Sequence, residues 1–174
     1  MKPTLLGIAG RPTLRTMDPS DRDELIARYE DGPEAVRRAL SGITDAEFDS
    51  SPGVSEWTAR QIVHHLADSE MTSAIRLRQL LADEDPVIVG YDEEEFARRL
   101  FYDERPIDAS LEALGAARRT TAELLHRLSE DQWARTGTHT ESGPYGVETW
   151  LRIYAAHAHD HAEQIRRARQ SALH

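Results

Sequence analysis

The sequence predicts an all-α fold, a four-helix bundle with short connecting helices and an N-terminal arm. Three observations carry that expectation. Four long stretches repeat apolar residues at three- and four-residue spacing, the joins between them are modest, and no run alternates apolar and polar residues as a half-buried strand would. At 174 residues, 39% hydrophobic and 30% charged, the chain suits one soluble globular domain without an internal repeat.

Residues 1–17 carry two prolines and no sustained period and read as an arm, with the domain proper spanning 18–174. The apolar run Leu5 to Ala9 is too short for a secretory core and is assigned to the arm. From Asp18 or Ser20 a helix begins with Leu25, Ile26, Tyr29, Ala35, Val36 and Leu40 inward. Gly32-Pro33 is expected to kink or divide it, and Gly42 to end it. Thr44 and Glu47 form a capping box for a short turn. A second box, Thr58 with Gln61, opens a long helix over about 59–82. Its buried face carries Ile62, Leu66, Leu77, Leu80 and Leu81, with His65, Ser69 and Ser73 in the gaps. Residues 83–92 read as a loop, and 92–102 as a short helix with Glu95 at the capping position. Pro106 opens a third long helix to about Leu128, and Ser129 a short turn that sends Trp133 inward. Residues 136–146, with three glycines and a proline, read as a loop. The fourth long helix, Thr149 to Arg169, carries Trp150, Ile153, Tyr154, Ile165 and Ala168 on its apolar stripe.

The net charge of −10 disfavours nucleic acid and anionic membrane as partners, and no run approaches a membrane span. Cytoplasmic residence is the expectation. Without cysteine there is no disulfide framework and no thiolate ligand, so any metal must take His, Asp or Glu.

His157 and His161 fall on the apolar stripe of the last helix, four residues apart on one face, whereas His159 points away. An i,i+4 histidine pair alone is a weak signal. It gains weight because the second long helix also turns one histidine of its His64-His65 pair to the core, though periodicity does not decide which. Three imidazoles inside a bundle would half-fill a coordination sphere and leave positions for water or substrate, as catalytic sites do.

At these residues the sequence resembles the DinB-like superfamily, in particular its YfiT-type branch of metal-dependent hydrolases and bacillithiol S-transferases. The matching text is Trp57-Thr58 through IVHHLADSEM, the IRL run at 75–77, YDEEEF at 91–96 and the terminal YAAHAHDH, in order over about residues 20–170. The resemblance implies that His65, rather than His64, joins His157 and His161 in holding a divalent ion, zinc or nickel. It also implies a four-helix bundle that is often a homodimer. Asp160 stands where relatives often carry another histidine. The THTESG loop departs from relatives that place an aromatic residue and a proline beside a histidine, here matched by His139.

Such an ion activates water for hydrolysis, or holds a low-molecular-weight thiol for S-transfer to a small electrophilic substrate. Thiol-dependent isomerisation and a non-catalytic metal- or partner-binding bundle are the rival readings. Glu70 and His139 are candidate proton carriers, with an exposed helix carboxylate and a surface loop as the plain alternatives. Arg76 and Tyr154 are candidate substrate contacts, set against a surface ion pair and a core tyrosine. Asp68 is a candidate hydrogen-bond acceptor for a ligand histidine. His64, His126 and His174 read as structural or exposed, and Arg166 to Arg169 as a solvated helix end.

Overall fold

A computed structural model describes residues 17–171 apart from 52, 54 and 55. The arm up to residue 16 and His174 therefore lie outside the described residues. Met17, the last residue of the expected arm, is buried, and its backbone N–H donates to the Glu148 carboxylate at 2.9 Å.

Four long helices form the body: α1 (Pro19–Leu40), α3 (Ala59–Ala82), α5 (Asp108–Leu125) and α7 (Val147–Ser171). Three short ones, α2 (Asp45–Phe48), α4 (Glu93–Arg99) and α6 (Glu130–Trp133), lie in the joins. The start signals act as expected. Asp18, Thr44, Thr58, Asp92 and Ser129 each accept a backbone N–H through the side chain, satisfying a donor that the first helical turn leaves orphaned. Gly42, at φ 68°, follows the end of α1 in the left-handed conformation that glycine adopts without penalty. By contrast α5 starts at Asp108 without a side-chain cap and stops at Leu125, shorter at both ends than the apolar spacing suggests.

Two expectations are corrected. The first concerns Gly32-Pro33: of the kink or break expected there, the break does not occur, and α1 runs through as one helix. Proline has no N–H to give the carbonyl four residues back, which is that of Tyr29. Arg118 supplies the missing donor, its Nη1 reaching the Tyr29 oxygen at 2.6 Å. The second concerns residues 83–92 and 136–146, which contain a small sheet. Strand β1 (Val87–Ile88) pairs parallel with β2 (Thr136–His139), which pairs antiparallel with β3 (Gly143–Gly146). Ile88 and Tyr145 carry this sheet into the core.

α1 packs most extensively on α7, and α3 on α5. Between the two pairs lie two apolar clusters. One, at the sheet end, includes Ile26, Leu77, Leu80, Trp133, Trp150 and Tyr154. The other includes Val36, Ile62, Leu66, Leu114, Ala158 and Ile165. Ile153 is 44% exposed and leaves the predicted stripe, its place taken by Leu151, Ala155, Ala158 and Ala162.

Candidate metal centre

His65 on α3 faces His157 and His161 on α7, across the gap between the two helix pairs. One ligand atom from each ring lies within 4.8 Å of the others. His65 Nε2 and His157 Nε2 are 3.3 Å apart. Two imidazole nitrogens on one tetrahedral zinc, each at about 2.0–2.1 Å, would stand roughly 3.3 Å from one another, so this spacing fits a shared ion.

The surroundings hold the rings in the form a metal needs. Burial, helped by the neighbouring His161, pushes His65 down to about 3. Burial likewise takes His157 to about 2, with His161, His65 and Arg118 adding repulsion. His161 is also lowered by burial, against its hydrogen bond to the Gln164 oxygen, which works the other way. All three are therefore neutral bases near pH 7. His161 Nδ1 lies 2.7 Å from Gln164 Oε1, which fixes Nδ1 as the protonated nitrogen and leaves Nε2 to bind. The Trp57 ring packs on His65 with centroids 4.7 Å apart. A pocket of about 240 Å³ lined by Glu56, Trp57, Glu93, Glu94, His161 and Gln164 opens beside His161. The larger cleft between α1 and α5, about 460 Å³, lies on other residues.

His64 faces the other way, between Ser110 Oγ (2.8 Å) and the Arg105 carbonyl (3.0 Å), as a structural histidine. His126 pairs with Glu30 at the surface, and His159 reaches the Arg28 carbonyl. Tyr154 is buried with its ring 5.7 Å from that of His157, and its hydroxyl accepts from Arg76 Nη1 at 3.3 Å. Among the described residues Arg76 makes no surface ion pair. Its Nη2 donates to the Val89 carbonyl at 2.6 Å, and its guanidinium lies over the Tyr91 ring. His139, half-buried in β2, faces Tyr145 and accepts the Glu141 N–H on Nδ1.

Three readings change. Glu70 is not an exposed carboxylate but 1% exposed, ion-paired to Arg118 at 2.8 Å and accepting from the Tyr29 and Ser73 hydroxyls. Asp68 accepts from Tyr102 at 2.6 Å and faces Arg105 at 3.8 Å, so it is occupied away from the three-histidine cluster. The final arginine run is only partly solvated, because Arg169 reaches back to the Ala39 and Ser41 carbonyls and Glu47.

The sequence reading missed Arg118, which sits in an ordinary-looking AARRTT run. The one available signal was Gly32-Pro33, since a proline inside a helix leaves a carbonyl in need of an external donor.

The sequence profile of the DinB superfamily matches residues 28–165. The protein named "Putative metal-dependent hydrolase OB0782" from Oceanobacillus iheyensis is 36% identical over 143 residues, covering 82% of this chain and 83% of that one. A namesake from Bacillus mycoides is 32% identical over 148 residues, 85% of each chain. The solved structure of YfiT from Bacillus subtilis, described as "a probable metal-dependent hydrolase with an unusual four-helix bundle topology", superposes with a TM-score of 0.84. It is 29% identical and covers 94% of both chains.

Proposed function

Because the chain belongs to the DinB superfamily, we propose that it is a divalent-metal-dependent enzyme whose ion is held by His65, His157 and His161. The observation that carries this is the convergence of three neutral imidazoles from two helices, with the His65 and His157 nitrogens 3.3 Å apart. Zinc or nickel suits such a set, with availability deciding between them. When bound, the ion supplies Lewis acidity, which lowers the pKa of water to about 7 or keeps a low-molecular-weight thiol as thiolate. Hydrolysis and thiol S-transfer to a small electrophilic substrate are the two outcomes of that chemistry. The names of the relatives favour hydrolysis.

The protein's own groups then have these roles. Gln164 orients His161. Burial raises the Tyr154 phenol above the usual tyrosine range, so it stays protonated; it accepts from Arg76 and keeps its own proton to donate to a substrate beside His157. Arg76 orients Tyr154 and the Val89 carbonyl. His139 remains the candidate proton carrier, with Nδ1 engaged by the Glu141 N–H and Nε2 left to carry the proton. Glu70 is assigned to holding Arg118 rather than to proton transfer, because both of its oxygens are engaged in the core. A cytoplasmic homodimer acting on a small molecule completes the proposal.

Elemental analysis of protein purified without a histidine tag tests the metal. The expected result is one divalent ion per chain, lost in His161→Ala; wild-type protein without metal would end both enzymatic readings. A chloro-substituted electrophile offered with a panel of small thiols then separates the chemistries. Thiol-dependent chloride release supports transfer, and silence across the panel supports hydrolysis or binding without turnover.

A further inference from the structure

We propose that Arg118 is a positioning residue for the metal centre: its guanidinium, clamped between Glu70 and two helix carbonyls, sets the separation across which His65 faces His157. The inference rests on the metal reading above.

The ligands come from opposite halves of the bundle. α3, which carries His65, packs mainly on α5, whereas α7, which carries His157 and His161, packs mainly on α1. The spacing between these pairs therefore fixes the distance between nitrogens. The apolar clusters above and below do not set it finely, because apolar contact is non-directional and tolerates small slides. Arg118 does, because a guanidinium presents its donors in a fixed planar fork. Its Nε pairs with Glu70 of α3 at 2.8 Å. Nη1 donates to Tyr29 of α1 at 2.6 Å, and Nη2 to the Tyr154 carbonyl of α7 at 2.9 Å. One side chain of α5 thus ties its own pair to both helices of the other.

The clamp lies next to the ligands in sequence as well. Tyr154 precedes His157 by three residues and Glu70 follows His65 by five. Arg118 and Glu70 are each 1% exposed, at the boundary between the two apolar clusters. The backbone is shaped around the guanidinium: a Cβ at Gly32 would collide with Nη1, and Pro33 leaves the Tyr29 carbonyl open to it.

Cobalt(II) loading of the full chain tests this, reading the visible spectrum and the affinity for cobalt and, by competition, zinc. Arg118→Lys keeps the charge and loses the fork, Glu70→Gln keeps an acceptor and loses the charge, and Ile26→Val removes one core methylene while leaving every hydrogen bond of the clamp in place. Arg118→Lys is expected to weaken metal binding by about tenfold or more and to alter the cobalt spectrum, as loss of ligand-orienting partners does elsewhere. Glu70→Gln shifts both in the same direction, while Ile26→Val keeps the wild-type spectrum and affinity. Folded Arg118→Lys protein with wild-type affinity and spectrum overturns the inference; should that variant not fold, unchanged values in Glu70→Gln do so. Wild-type protein that binds no cobalt overturns the metal reading beneath it.

Discussion

At the scale of single residues, the three clustered histidines link acidity to stability. Each has a folded-state pKa below the ordinary value of 6.5, principally through burial. Below pH 6.5 the unfolded chain takes up protons that the folded metal-free chain refuses, so stability falls with pH. The loss begins near 6.5 and continues down to about 3 for His65 and about 2 for His157. Above 6.5 these groups contribute no further change. Urea denaturation of the metal-free protein between pH 7 and 5 measures this, and His157→Ala should flatten the slope. A stability independent of pH over that window would contradict the buried, neutral assignment. Added zinc should steepen the acid dependence, since protons and metal compete for the same nitrogens.

Among the helices, the Gly32-Pro33 step carries the sharpest expectation. Alanine is ordinarily favoured over glycine in a helix by about 1 kcal/mol. At position 32, however, the new Cβ meets the Arg118 guanidinium and stands 2.9 Å from the Ala158 Cβ. Overpacking of this kind costs about 1–3 kcal/mol, so Gly32→Ala is expected to destabilise despite the better propensity. Chemical denaturation checks the sign, and a gain in stability would show that Arg118 has room to move aside. This step also shows what was legible in the sequence. Helix starts were, because Thr44, Thr58, Asp92 and Ser129 act on N–H groups three residues away. His157 and His161 were, because a 3.6-residue period places both on one face. His65 over His64 was not legible from periodicity, since both side chains are buried and only their partners differ. The three-stranded sheet escaped because β1 has two residues and its partners four, too few for an alternation to register. The Arg118 clamp escaped because it joins residues 29, 70, 118 and 154, distant in sequence, with no local pattern to mark it.

For the molecule as a whole, an ion held by His65, His157 and His161 would join two helix pairs that otherwise meet through apolar contact and hydrogen bonds, among them those of Arg118 to the Tyr29 and Tyr154 carbonyls. An ion bound only by the folded chain should therefore raise its stability by mass action, by about 2.7 kcal/mol at free metal one hundred times Kd. Thermal unfolding with increasing zinc should show a rising Tm in wild type and a flat one in His161→Ala. Equal shifts in both would place the ion elsewhere. Arg118→Met should cost about 3–5 kcal/mol in the metal-free protein, because it leaves the Glu70 carboxylate buried and without its charge partner.

The central claim is that the rings at 65, 157 and 161 share one ion and leave part of its coordination sphere open. X-ray absorption at the metal edge of the zinc-loaded protein tests it most directly. The account predicts three imidazole nitrogens at about 2.0–2.1 Å, with the remaining positions filled by light, exchangeable ligands. Two or fewer imidazoles, or a sphere closed entirely by protein, would contradict it.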